Sequence, residues 1–407
     1  MHAGRIHQRR EVEPVQVGDY SLIGLLSHSV TGTNYLASSI EDTYGPHFVS
    51  VKELRPRGLG LSAFAETCRT EAALASSVEH PNVGRTLGVV QEGNVHYWLT
   101  EYLDGQPFGR LVQSSRMAPQ VSLRMRLHVI HEALGGLHAA HQVRDLKGNV
   151  GALVHGGLRP SNVIVSCDGS VKVVGFGLAR ALATRPEWRD VPGRLRYLAP
   201  EQLLENDVDV RADIFSMGVM LWESISLRRF ASNSTSERVA YQRRLSGGEP
   251  RIAQVFPQVP PRLARICDKA MSLDRRDRFQ SARAFQEALS DYMDSSGAPC
   301  KVTVLGYLVA TKFESERAEV KRLMENVTRA RSELRTQVDV RRAPPPPLDD
   351  GEPTIVRDIA SEQSRITRSK LEVVLAPERW RWVMWSVASL AATLLAMWAG
   401  YLWAGHL

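Results

Sequence analysis

No two cysteines of this 407-residue chain stand close enough in sequence to suggest a disulfide staple or a zinc site. Cys68, Cys167, Cys267 and Cys300 are scattered, without a C-x-x-C pair or a His at metal-ligand spacing, and read as free thiols in a reducing compartment. A dense Lys/Arg block interleaved with aromatics is missing as well. The 51 basic and 44 acidic residues are spread along the chain, net +7, so no nucleic acid is expected as a partner. The first 18 residues carry Arg5, Arg9, Arg10, Glu11 and Glu13 but no apolar core, which argues against a signal peptide. Hydrophobic residues at 43% and charged residues at 23% argue against both wholesale disorder and a polytopic membrane protein.

What is present changes character along the chain. After an N-terminal extension (1–19), strand-like runs come first, at Tyr20–Leu26, Tyr35–Ala37, His47–Leu54 and His96–Tyr102. Longer helical stretches follow, so residues 20–293 are expected to form an α+β domain with a small β-rich lobe and a larger helical one. A helical extension (294–340) comes next. Within it Val320, Leu323, Val327, Ala330 and Leu334 recur every three or four positions, predicting one amphipathic helix from Lys301 to about Val340, docked or paired. Pro344 to Pro347 then open a flexible tether (341–381), in which Thr354 is a candidate phosphoacceptor.

The 22 residues from Trp382 to Trp403 contain no Lys, Arg, Asp or Glu, enough helix to cross a bilayer core. Trp380, Trp382 and Trp385 mark one end, and Trp398, Tyr401 and Trp403 the other, at the depths interfacial aromatics prefer. Arg379 and Arg381 precede the span and only residues 404–407 follow it. The positive-inside rule predicts a single-pass protein of the cytoplasmic membrane, its large domain in the cytoplasm and its C-terminus outside.

Several motifs in the large domain resemble those of protein kinases. Val49-Ser50-Val51-Lys52 looks like the third-strand lysine motif, and Glu71 stands 19 residues on, in a helical segment. Leu99 to Gly105 is similar to the hinge, with Thr100 as gatekeeper and Glu101 and Tyr102 after it. Val154-His155-Gly156-Gly157-Leu158-Arg159-Pro160-Ser161-Asn162 resembles the catalytic loop, and Val173-Val174-Gly175-Phe176-Gly177 the metal-binding loop. Ala199-Pro200-Glu201, then Asp213 to Gly218, then Leu273 to Phe279 with Arg278, complete the order. The chain is identified as a degenerate member of the bacterial eukaryotic-like Ser/Thr protein kinases. That implies a two-lobed kinase fold, a Lys52–Glu71 ion pair aimed at nucleotide phosphates, and a structural pair between Glu201 and Arg278.

The register decides the chemistry. Arg144-Asp145-Leu146-Lys147-Gly148-Asn149 imitates a catalytic loop, but its aspartate and asparagine are four residues apart where the family needs five. Gly157 to Asn162 is five, and Gly157 to Gly175 is 18, the family's separation between its two aspartates. Residues 142–152 then read as an insertion. By the resemblance, both the proton acceptor (Gly157) and the principal metal ligand (Gly175) are glycine. Asn162 alone is left for a metal, so magnesium is not expected. Gly156 stands where an arginine would receive an activation-loop phosphate, and Arg159 where the family usually has lysine.

The phosphate loop, Ser27-His28-Ser29-Val30-Thr31-Gly32, keeps one glycine of three. Leu26, Gly32, Asn34, Ser50, Lys52, Glu71, Thr100, Glu101, Tyr102, Asn162 and Ile164 are the candidate nucleotide contacts; ATP, if held, would be held weakly or without metal. Three readings follow. The first is a membrane-anchored pseudokinase that binds an active kinase, a substrate or another signalling protein without efficient phosphoryl transfer. The second is an atypical ATP-dependent Ser/Thr kinase with non-standard catalytic groups. The third is a scaffold whose extension helix does the binding.

Overall fold

The computed structural model describes residues 15–29, 31–40, 47–56, 60–117, 121–144, 148, 150–184, 195–204, 208–230, 237–297 and 300–342. The predicted membrane span, Thr354, nearly all of the tether and Asp145 lie outside them. Among the described residues no helix is long and apolar enough to cross a membrane.

Alternation builds the first lobe. Strands β1 (Gln16–Val17), β2 (Tyr20–Ser29), β3 (Gly32–Ser39), β4 (Phe48–Leu54), β5 (Thr86–Glu92) and β6 (Val95–Glu101) form an antiparallel sheet in the order β1-β2-β3-β4-β6-β5. On one face Val17, Ala37, Val49, Val51, Tyr97 and Leu99 pack together. The intervening residues of β4, Ser50, Lys52 and Leu54, turn to the other face. Registers of Asn34 with Lys52 and of Ser50 with Thr100 bring all four polar side chains to that same face. Helix α1 (Leu61–Ser76) covers part of it, with Phe64, Cys68 and Ala72 against Leu54 and Trp98.

The second lobe is helical, as the order of strands and helices predicts. It begins with β7 (Gly105–Pro107), α2 (Phe108–Met117) and α3 (Leu123–His141). Strands β8 (Val163–Ser166) and β9 (Val171–Val173) pair with β7 in a small sheet ordered β7-β8-β9. There follow α4 (Leu178–Ala183), α5 (Pro200–Leu203), α6 (Val210–Ser226), α7 (Glu237–Ser246), α8 (Ile252–Val255), α9 (Pro261–Ala270) and α10 (Ala282–Ser295). The core of this lobe centres on α6, buried from Ala212 to Ile225, where apolar residues predominate and the buried polar ones, Asp213, Ser216, Glu223 and Ser224, are hydrogen-bonded. Arg278, 2% exposed, donates from Nη1 and Nη2 to the two oxygens of Glu201 at 2.7 and 2.8 Å.

The extension corrects the single helix expected from 301 to 340. It forms two helices, α11 (Val302–Lys312) and α12 (Glu314–Arg342), separated at Phe313. Phe313 and the α11 residues Leu305 and Val309 are buried in the second lobe's core, so the break serves to seat an aromatic anchor. Residues Gln16–Glu325 form one compact unit; α12 from Asn326 belongs to a second.

Candidate active site

The segment 154–177 is held from behind. Asp213, 1% exposed on α6, accepts the backbone N–H groups of His155 (2.8 Å) and Gly156 (2.9 Å) and the Nε2–H of His141 (2.9 Å). Those donors keep its carboxyl below the usual range even though burial pushes the other way. His155 donates from Nε2 to the Val174 carbonyl at 3.1 Å and packs with its ring centroid 5.0 Å from that of Phe176, tying the loop at 157 to the loop at 175. Burial holds its imidazole below the ordinary value and so neutral, which suits a ring that donates on one side and accepts on the other.

The carboxylate positions are glycine in shape as well as in name. A Cβ on Gly157 would stand 2.7 Å from the Cβ of Ala179, so α4 fills the volume an aspartate would need. Gly175 has φ +89°, a left-handed conformation that side chains rarely adopt, and its Cβ would meet Asn162 Nδ2 at 3.1 Å. The Oδ1 of Asn162 is buried and has no hydrogen-bond partner among the described residues. Among the described residues no group of three or more His, Cys, Asp or Glu could hold a metal ion.

The ion pair implied between Lys52 and Glu71 is not made. Glu71, 5% exposed, faces Arg180 of α4, Nε to Oε1 3.3 Å, and its other oxygen is buried with no hydrogen-bond partner among the described residues. Arg180 is fixed from the far side by donating to the Ala152 carbonyl at 2.8 Å. The physical reason is that α4 docks under α1, with Ala181 and Leu182 joining Phe64, Cys68, Ala72 and Trp98, and carries Arg180 to the glutamate. Burial pushes the Glu71 carboxyl up, and Arg180 only partly offsets it. Lys52 instead donates to Ser29 Oγ at 3.2 Å. Burial, with the Arg159 charge nearby, pushes its ammonium down to about 8.

The nucleotide slot is polar on its roof. Ser50 donates to Asn34 Oδ1 at 2.9 Å across β3 and β4, and Thr100 Oγ1 lies 3.5 Å from the Ser50 carbonyl. Leu26 and Ile164 are half-buried. The Glu101 carboxylate is engaged by Lys172 Nζ (2.7 Å) and the Arg85 N–H (2.8 Å). Tyr102 is partly buried, its phenol raised to about 12 by burial. Gly32 has φ +137°, and its Cβ position is taken by the Glu53 carbonyl, so the one glycine kept in the phosphate loop is sterically required. The structure thus gathers Asn34, Ser50, Lys52 and Thr100 on one face, and separates Glu71 from Lys52.

Two participants escaped the sequence reading, Ala179 and Arg180. A signal for them exists: Leu-Ala-Arg-Ala-Leu-Ala after Gly177 consists of the strongest helix formers.

The protein kinase domain family matches the chain over residues 37–290. Over 315 residues the chain is 32% identical to "Tyrosine-protein kinase MasK" of Myxococcus xanthus, covering 74% of this chain and 48% of that protein. It is 30% identical over 271 residues to "Probable serine/threonine-protein kinase PknB" of Bifidobacterium longum, covering 63% and 37% respectively. The chain therefore spans about half or less of the length of these relatives. The crystal structure of the PknI kinase domain of Mycobacterium tuberculosis superposes with a TM-score of 0.55 at 20% identity, over 70% of this chain and 99% of that one, a likeness of fold.

Proposed function

The chain belongs to the protein kinase family, with bacterial relatives named as Ser/Thr and Tyr kinases, and from that premise we propose that it is a pseudokinase. In this reading it is a signalling or scaffold module that binds protein partners, such as an active kinase, its substrate or another signalling protein, without efficient phosphoryl transfer. The observation that carries it is the occupation of the Gly157 position by Ala179. A missing base alone would slow transfer by lowering one contribution among several. A filled base position, no carboxylate at 175 and a glutamate diverted from Lys52 act against positioning and electrostatics together.

The kinase fold implies ATP use, typically with magnesium. The donor set here does not fit magnesium, since Asn162 is the one ligand left among the family's positions. It does fit phosphate charge: Lys52 and Arg159 are cations that lie close enough to lower the lysine's pKa. ATP held without metal is the nucleotide state we propose. The predicted span 382–403 supports anchorage in the cytoplasmic membrane, with the kinase-like domain in the cytoplasm and the C-terminus outside.

A second reading, an atypical active kinase, is favoured by the retention of Lys52 and Asn162. One assay separates the two. Incubation with γ-labelled ATP and magnesium or manganese is expected to leave both the chain and a generic protein acceptor unlabelled. Label that disappears in Lys52→Met would overturn the pseudokinase reading.

A further inference from the structure

We propose that α11 and the start of α12 form a strap that runs past the connection between the lobes and fixes the small lobe on the large one, with Leu323 as the latch. The proposal concerns motion of the lobes and holds whether or not the centre transfers phosphate.

The strap is seated on the large lobe at one end. A Cβ on Gly306 would stand 2.6 Å from the Cys167 carbonyl and from the Gly169 nitrogen, so α11 lies directly on the turn between β8 and β9. Leu305 and Val309 are fully buried and Phe313 is 7% exposed, with the Arg110 guanidinium 4.5 Å above the Phe313 ring. This apolar seat is the strong attachment, because three buried side chains contribute several times what an exposed ion pair does.

At the connection itself Arg317 grips Asp104. Its Nε lies 2.9 Å from both carboxylate oxygens and its Nη2 2.6 Å from Oδ2, a two-pronged pair. Burial pushes the Asp104 carboxyl up, but Arg317 outweighs it and the net displacement is downward. Arg110 adds a second pair, with Glu316 at 2.8 Å. Six residues beyond Arg317 the helix reaches the small lobe. Leu323 Cδ1 lies 2.5 Å from where a Cβ on Gly24 of β2 would stand, so the leucine packs directly on the glycine and a side chain there would have to displace it. One continuous segment thus touches the large lobe, the connection and the small lobe in turn. Rotation of the lobes about the connection must break the Leu323–Gly24 contact or the Arg317–Asp104 pair.

Hydrogen exchange on the full chain tests this, read at the connection (102–106), at the start of α12 (314–325) and at α11. Leu323→Ala leaves β2 and Asp104 intact. It is expected to speed exchange at the first two regions by about tenfold while α11 stays protected. Asp104→Arg should do the same, and Asp104→Arg with Arg317→Asp should return exchange to the wild-type rate. Gly24→Val, which removes the space for Leu323 from the other side, should reproduce Leu323→Ala. Unchanged exchange at the connection in Leu323→Ala, or a charge swap that fails to restore protection, would overturn the strap.

Discussion

At the scale of single residues, Lys52 is the most informative side chain. In an arrangement with Glu71 as its partner it would support the fold. Here it is a partly buried cation with a hydroxyl for a neighbour, and its pKa is pushed from 10.5 down to about 8. The sign follows from proton counting. Between about 8 and 10.5 the unfolded chain holds a proton that the folded chain has released, so Lys52 makes stability rise with pH through that window. Below it the penalty is present in full. Lys52→Met is therefore expected to raise the melting temperature at pH 7, by the equivalent of about 1–3 kcal/mol, and the gain should shrink as pH approaches 10. A variant less stable than wild type at pH 7 would show that the lysine has a compensating anion. ATP in EDTA should raise the melting temperature of the wild type and leave Lys52→Met unmoved; equal shifts would remove the phosphate role assigned to Lys52.

At the scale of elements, the roles fixed by spacing and those fixed by docking separate cleanly. The pair between Glu201 and Arg278 was legible through the family resemblance, because its two motifs stand in the family's order. Arg278→Ala would leave Glu201 buried and unpaired, with an expected loss of about 3–5 kcal/mol by denaturant titration; a loss under about 1 kcal/mol would mean that water reaches the carboxylate. Strands β2, β3, β4 and β6 were legible from their apolar runs, though β3 extends to Gly32–Ser39 where the sequence suggested Tyr35–Ala37, whereas β5 (Thr86–Glu92) and the short strands β1, β7, β8 and β9 were not foreseen. The partner of Glu71 was not legible, because Lys52 and Arg180 both carry the right charge and the choice depends on whether α4 forms and docks under α1. The break at Phe313 escaped too: the apolar repeat that suggested a helix, Val320 to Leu334, lies wholly beyond it, and the break accompanies burial of the Phe313 ring in the second lobe.

At the scale of the whole molecule, one lobe brings polar and cationic groups to the cleft and the other brings a catalytic loop whose key space is filled. The uncharged span at 382–403 predicts that the full chain sediments with membranes and that deletion of 382–407 releases it; a deletion that still sediments would assign anchorage elsewhere. The active centre is filled by α4 as well as stripped of its carboxylates. The most direct measurement is label incorporated from γ-labelled ATP, with magnesium or manganese, by the wild type and by Gly157→Asp/Gly175→Asp side by side. No Lys52-dependent label is predicted from either, because a carboxylate restored at position 157 meets Ala179 and Glu71 remains with Arg180. Robust transfer by the doubly restored chain would show that the centre was only stripped, and Lys52-dependent transfer by the wild type would show that it is a working kinase centre.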